Sequence, residues 1–331
     1  MNRPSPSGTR QGHQVNPFAH NVAGEMLGAG ARIGLGAAAF GRDGVTDADA
    51  AGCVQTAWEQ GIRYFDVAPM YGSGRAEVRL GRALAGMRRD DFVLSSKVGR
   101  LVEGAPDPAS EGTGWTFDFS ADAIKRSVEA SLARLGLDRI DILLIHDPDN
   151  HWETAINEAW PVLEDLRRQG VVRAIGAGMT RVPLLTRFAR ETSMDIFLLA
   201  GRYSLLDTEG MNELLPLCQE KGISVLIAQA LHGGLIDGVT DAQFHYAPVD
   251  AATRAKVERI AAICHAHGIP TAAAAIQFPL AHPGVTGILT GPATADQLRS
   301  NLTWFTTPIP PALWAELKAA GLLPENAPVP S

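Results

Sequence analysis

The feature that most restricts what this chain can fold into is an alternation repeated eight times. Short apolar runs bounded by turn formers occur at Ala31–Gly41, where the run enters a Gly-rich turn, and at Tyr64–Asp66, Phe92–Lys97 and Ile140–His146. They recur at Val171–Gly176, Ile196–Leu199, Ile223–Ala228 and Val285–Leu289. Such runs read as buried strands. Each is followed by a segment with helical spacing. The first opens at Thr46, with Asp49 at capping-box distance, carries Ala51, Val54 and Trp58 on one face and stops at Gly61. The others are Arg75–Ala85, a helix capped by Ser120, one opened by Asn150 with Glu153 in capping-box register, Val182–Arg190, Asn212–Lys221, a longer region from Ala251 to Leu280, and a helix opened by Thr294. The Asn150 helix is expected to bury Ile156, Trp160, Leu163 and Leu166. Strands alternating with helices imply a parallel sheet, and eight units in about 280 residues suit a closed (β/α)8 TIM barrel better than an open sheet.

No linker interrupts the series, so residues 25–323 are predicted to form one barrel domain, with Pro311–Ala320 as an extra C-terminal helix stopped by Gly321. Residues 1–24 are polar and rich in Pro, Ser and Gly, which predicts a disordered tail, and 324–331 read as a C-terminal tail. Apolar residues make up 46% of the chain, enough for a large core. A net charge of −7 and dispersed basic residues argue against a nucleic-acid or anionic-membrane partner. The longest apolar run, Thr271 to Ala281, is about half a membrane span and is interrupted by Gln277 and Pro279. Cys53, Cys218 and Cys264 are far apart, as expected of small buried thiols in a reducing, cytoplasmic compartment.

In a barrel of this kind chemistry gathers at the carboxyl ends of the strands. Those ends carry Asp66, Lys97 and His146, and Tyr71 lies in the loop after Asp66. A phenol with its ordinary pKa near 10 is poorly matched to proton transfer at neutrality. A neighbouring ammonium favours the phenolate, and a carboxylate can hold that ammonium in place. Tyr71 therefore reads as general acid or base, Lys97 as its tuner, Asp66 as the anchor of Lys97, and His146 as a hydrogen-bond donor to the reacting oxygen. None of these groups accepts a hydride, so redox chemistry here needs a nicotinamide cofactor. Gly34–Ala39 fits the loose dinucleotide fingerprint, but Phe40-Gly41-Arg42-Asp43-Gly44 follows where a helix should open, so the match is discarded.

The motifs RYFDVAPMYGSGRAEVRLGRAL, FVLSSKVGRL, RSVEASLARLGLDRIDILLIHDPD and RAIGAG resemble those of the aldo-keto reductases, from about Leu27 to Phe305. The resemblance is greatest to the branch holding L-fucose (D-threo-aldose) 1-dehydrogenases and pyridoxal 4-dehydrogenases. It implies an Asp–Tyr–Lys–His tetrad at Asp66, Tyr71, Lys97 and His146. The implied reaction is oxidation of the hemiacetal carbon of an aldose (L-fucose, D-arabinose or L-galactose type) or of pyridoxal to a lactone. It also implies cofactor contacts at Gly36, Ala37, Asp66, Gly178, Met179, Leu231, Gly291, Pro292, Ala293, Gln297 and Asn301. Tyr71, His146 and Trp115, with Phe117 beside it, are the candidate substrate residues.

After the last strand Thr294 and Gln297 are spaced as a capping box, and a helix N-terminus there suits the adenosine phosphate end of the cofactor. No Lys or Arg lies between Thr290 and Leu298, and Asp296 is acidic, so NAD is expected over NADP. The family's usual amide-binding and ring-stacking residues are replaced by Gly176-Ala177-Gly178-Met179, Ala200 and Ala228-Gln229-Ala230-Leu231. Competing readings are an NADPH-dependent aldehyde or ketone reductase and a non-catalytic nicotinamide-binding, redox-sensing subunit. A metal hydrolase would rest on His265-Ala266-His267, but residues two apart on a helix face different ways. No metal site is expected.

Overall fold

All eight predicted strands form, in parallel, and the sheet closes on itself in the order β1 (Ile33–Gly36), β12 (Gly287–Thr290), β9 (Ser224–Ala228), β8 (Ile196–Ala200), β7 (Ala174–Met179), β6 (Ile142–His146), β3 (Val93–Val98), β2 (Tyr64–Asp66). The computed structural model describes residues 32–102, 114–239, 243–244 and 247–331, so the predicted tail 1–24 lies outside the described residues. Among the described residues two antiparallel pairs lie outside the barrel sheet: β4 (Arg100–Val102) with β5 (Trp115–Phe117), and β10 (Gln243–Phe244) with β11 (Ala247–Pro248).

The helices are α1 (Asp47–Glu59), α2 (Arg75–Leu84), α3 (Ala121–Leu135), α4 (Trp152–Thr154), α5 (Trp160–Arg168), α6 (Val182–Glu191), α7 (Leu214–Lys221), α8 (Ala251–Ala266), α9 (Thr271–Gln277), α10 (Ala295–Thr306) and the extra α11 (Pro311–Ala319). Thr46 and Asp49 form the expected capping box. The one expected at Asn150 does not form: α4 is preceded by His151 with no side-chain cap, and a π-helical segment, Ala155–Ala159, joins it to α5. A π turn widens the helical repeat, so the inward stripe is Trp152, Ala155, Ala159 and Leu163, while Ile156, Trp160 and Leu166 are only half-buried. The predicted Ala251–Leu280 helix is two helices, parted by Gly268 in the left-handed region (φ +68°) and by Pro270. The fifth strand starts later than predicted, at Ala174, and runs on through Gly178 and Met179. Beyond α11 the chain packs back rather than trailing away: Leu322, Leu323 and Ala327 are buried in the core.

Two apolar layers result from the period of two along each strand. Phe65, Leu94, Leu143, Ile145, Ile175 and Ile227 face outward, into the core shared with the helices. Tyr64, Val93, Ile142, Leu144, Leu226 and Leu289 face inward and fill the barrel. The same parity, carried to the strand ends, turns Asp66, Lys97 and His146 inward above that filling. Register reinforces it: Asp66 lies opposite Ser95 and Lys97 opposite Leu144.

Candidate active site

Lys97 is the hub. Its ammonium has three N–H bonds and three acceptors: Asp66 Oδ1 at 2.6 Å, the Val67 carbonyl at 3.1 Å and the Tyr71 hydroxyl oxygen at 3.2 Å. The residue is 1% exposed. Burial works against its charge, but the Asp66 carboxylate and Tyr71 outweigh it and hold the ammonium above the ordinary lysine range. Asp66 is fixed from the other side. Tyr64 donates to Ser95 Oγ at 2.8 Å, and Ser95 Oγ donates to Asp66 Oδ2 at 2.6 Å. Because the Tyr71 oxygen accepts from Lys97, the phenol's own proton is the one it can exchange with a substrate.

The loop that carries Tyr71 is located by contact between two backbones. A Cβ on Gly41 would stand 2.4 Å from the Tyr71 carbonyl carbon, and one on Gly72 (φ +59°) 2.3 Å from the Gly41 oxygen. No side chain fits at either position. Glycine therefore lets the turn after β1 press on the Tyr71 loop.

His146 is 7% exposed, with its ring edge-on to that of Tyr71 and 6.0 Å between centroids. Burial first, then the charges of Lys97 and Arg100, keep it neutral well below the usual histidine range. Nδ1 is buried without a partner, while Nε2 stands 3.6 Å from a carboxylate oxygen of Asp147. An orphaned nitrogen is cheaper as a lone pair than as an unpaired N–H, so the proton belongs on Nε2, facing the reacting space.

A cleft of about 510 Å³ runs from these four residues to the start of α10. Of the residues expected to contact a cofactor, Gly36, Asp66, Gly178, Met179, Leu231, Gly291, Pro292, Gln297 and Asn301 line this cleft. Three predicted residues do not. Ala37 is buried, donating its N–H to the Asp66 carbonyl at 2.7 Å. Ala293 donates its N–H to Gln297 Oε1 at 2.7 Å, so Gln297 reaches one residue before the cap and the predicted box is only half made, by Thr294 accepting from the Gln297 N–H. Trp115 lies on β5, where its ring receives the Arg100 guanidinium at 4.8 Å, and is no wall of the cleft among the described residues. Phe117 is 44% exposed on the same strand.

Several lining residues went unforeseen. Thr290 ends β12 with a buried hydroxyl that has no partner. Gln229 follows β9 in the left-handed region (φ +59°), and Arg42, Ser300 and Asp147 also line the cleft. Strand parity pointed to neither Thr290 nor Asp147, which follow the inward-facing Leu289 and His146 and should therefore turn outward; the remaining residues lie in loops and helices away from the strand repeat, where parity predicts nothing. His267 pairs with the Glu316 carboxylate at 2.8 Å, and no set of three or more His, Cys, Asp or Glu side chains suited to a metal occurs among the described residues. No helix among them is long and apolar enough to cross a membrane. The three cysteines are free and buried.

Similarity to known proteins agrees with this geometry. The chain is 39% identical to a D-threo-aldose 1-dehydrogenase of a Pseudomonas species, over 88% of this chain and 94% of that one. It is 36% identical to a pyridoxal 4-dehydrogenase of Microbacterium luteolum, with the same two coverages of 88% and 94%. In three dimensions it matches an aldo-keto reductase of Bacillus halodurans in its holo form, with a TM-score of 0.71 and 26% identity over 87% of this chain and 91% of that one. The model of the aldo/keto reductase family covers residues 32–321, from the first barrel strand to the end of the extra helix, and the chain belongs to that family of oxidoreductases.

Proposed function

We propose that the protein is an NAD-dependent dehydrogenase that oxidises the hemiacetal carbon of an aldose, or of pyridoxal, to a lactone. The observation that carries this reading is the Lys97 ammonium, donating at once to Asp66 and to the Tyr71 hydroxyl. Oxidation of a hemiacetal requires a proton to leave the carbinol hydroxyl. Tyr71 takes that proton as general base, and the ammonium beside it stabilises the phenolate that makes it basic. His146 Nε2–H orients the same substrate oxygen. Asp66 keeps Lys97 charged and in place, so it acts through Lys97 rather than on the substrate.

A nicotinamide cofactor, when bound, accepts the hydride. The cleft suits such a group: the buried Thr290 hydroxyl has no partner and lies in its wall, across from Gly36 on the neighbouring β1. The first turn of the twelve-residue α10 reaches the cleft at Gln297, with Ser300 and Asn301 alongside, and the positive end of that helix favours phosphate oxygens. Gln229 is the candidate partner of the carboxamide, in place of the residues the family more often uses. The preference for NAD draws further support from Arg299, the basic residue next to this segment. Its guanidinium is engaged by Asp296 at 2.7 Å and does not line the cleft.

The test is NAD reduction with L-fucose, D-arabinose, L-galactose and pyridoxal, repeated with Tyr71→Phe. Turnover is expected with at least one substrate, falling by about 10²–10⁴-fold in the variant. Reduction of NAD by none of the four would defeat the dehydrogenase reading, and tighter binding of NADP than of NAD would defeat the cofactor assignment.

A further inference from the structure

We propose that Asp147 selects the substrate class of this cleft, its carboxylate accepting a hydrogen bond from a hydroxyl on the carbon next to the reacting one. This rests on the dehydrogenase reading above for its choice of oxidised substrate, but the residue's role follows from local geometry. By strand parity the residue after the inward-facing His146 should point outward, to the helices. It does not. Asp147 adopts φ +44°, a left-handed conformation that Asp tolerates better than most side chains, and its N–H donates to the Gly178 carbonyl at 3.1 Å. The turn brings the carboxylate back over the barrel mouth, where it lines the cleft beside His146.

One carboxylate oxygen is committed. Oδ2 accepts from Arg100 Nη2 at 2.5 Å and stands 3.6 Å from His146 Nε2. Arg100 is itself clamped: Nη1 meets Met70 Sδ at 2.9 Å, and the guanidinium lies 4.8 Å from the Trp115 ring and 5.0 Å from the Phe117 ring. Arg100 is thus a positioning residue, and Trp115, expected in the substrate wall, acts one step further back by holding it. Oδ1 has no hydrogen bond among the described residues and is not among the fully buried polar atoms without a partner. A fixed acceptor with an open lone pair therefore sits within a few ångströms of the nitrogen that orients the reacting oxygen.

The charges around it narrow the donor it can take. Arg100 on β4, Lys97 on β3, neutral His146 on β6, and Asp149 in its own loop, with Arg181 3.7 Å from Asp149, are the groups that act on Asp147. Its charge is already matched by Arg100, so a substrate ammonium gains little. A substrate carboxylate would be repelled. A neutral hydroxyl donor meets neither penalty. An aldose carries such a hydroxyl at carbon 2, whereas in pyridoxal the nearest hydroxyl sits one carbon further from the reacting centre.

The experiment compares D-arabinose with 2-deoxy-D-ribose, the same sugar without its carbon-2 hydroxyl, and 2-hydroxypropanal with propanal in the reductive direction. The readout is the ratio of kcat/KM within each pair. Loss of a hydrogen bond to a charged acceptor is worth about 10- to 100-fold in that ratio. Wild type should favour the hydroxylated member, and Asp147→Asn, which keeps shape and left-handed tolerance, should collapse the preference. Arg100→Lys should weaken it and shift the pH dependence of the preference. Wild-type indifference to the hydroxyl, or an equal fall for both members in Asp147→Asn, would overturn the proposal. If the sugars are not oxidised while the aldehydes are reduced, the hemiacetal reading fails and the aldehyde pair still decides the role of Asp147. If neither pair turns over, equilibrium binding of the two sugars to the holoenzyme by intrinsic fluorescence decides it, and equal affinities overturn it.

Discussion

Replacing Lys97 by Met tests the ion pair at the centre of the site. Met keeps the unbranched shape and removes the ammonium. Asp66, 3% exposed, is then left with the Ser95 hydroxyl at 2.6 Å as its remaining side-chain donor, and the Val67 carbonyl and Tyr71 oxygen each lose a partner. Breaking a buried pair by deleting one member typically costs about 3–5 kcal/mol, because the survivor is an uncompensated charge. Asp66→Asn should cost a similar amount, stranding the ammonium instead. The double variant, Lys97→Met with Asp66→Asn, strands neither, so it should be no less stable than either single one and far more stable than their summed losses imply. Urea unfolding followed by tryptophan fluorescence measures all four proteins. A loss below about 1 kcal/mol in Lys97→Met, or strict additivity in the double variant, would show that the pair is not coupled as its 2.6 Å contact implies.

A second buried pair ties α2 to α3: Arg134 Nε donates to Glu77 Oε2 at 2.6 Å, and Ser96 Oγ donates to the other oxygen at 3.1 Å. Arg134→Met should therefore destabilise by about 3–5 kcal/mol without changing the kcat of the remaining folded enzyme, measured by unfolding and turnover together. Gly81→Ala should destabilise despite gaining roughly 1 kcal/mol in helix propensity, because the new Cβ would lie 2.0 Å from the Leu135 carbonyl oxygen; a rise in melting temperature would contradict this. Burial, partly offset by Arg100, pushes the Asp147 carboxyl up to about 6, so the folded protein holds this proton more tightly than the unfolded chain. Its contribution to stability is present below about pH 4 and is lost as pH rises through 6, by about 3 kcal/mol in all. Asp147→Asn should remove that slope from the stability profile between pH 4 and 7.

How much of the molecule could be read from the sequence depended on whether a residue's direction is set by a repeat. The strands, their order along the chain and the barrel follow from apolar runs separated by helical stripes. Once the strands are placed, Asp66, Lys97 and His146 follow as well, since a side chain two or four positions from Tyr64, Val93 or Ile142 must share its inward direction. Tyr71 was within reach because its loop is short and its glycines are conspicuous. The π segment at Ala155–Ala159 was not, since nothing in its composition separates it from an α-helix, and it moved the buried stripe to Trp152, Ala155 and Ala159.

The same rule explains the misplaced site residues. Trp115 was assigned by residue type, an aromatic side chain in a long loop above the barrel, and type alone does not say which neighbour it will cover. Ala37 and Ala293 lie within a residue of the cleft lining, and the turns that face their side chains elsewhere have no period to reveal it. Asp147 is the sharpest case, because parity gives a definite answer there and the left-handed turn reverses it. Proton-transfer groups common to a whole family sit where the barrel's periodicity fixes them. Groups that distinguish one substrate from another sit past the strand ends, where a single backbone angle decides which way a carboxylate faces. For this chain the oxidoreductase family was therefore legible before any substrate, and Asp147, the residue proposed above to select that substrate, is the one whose position required coordinates.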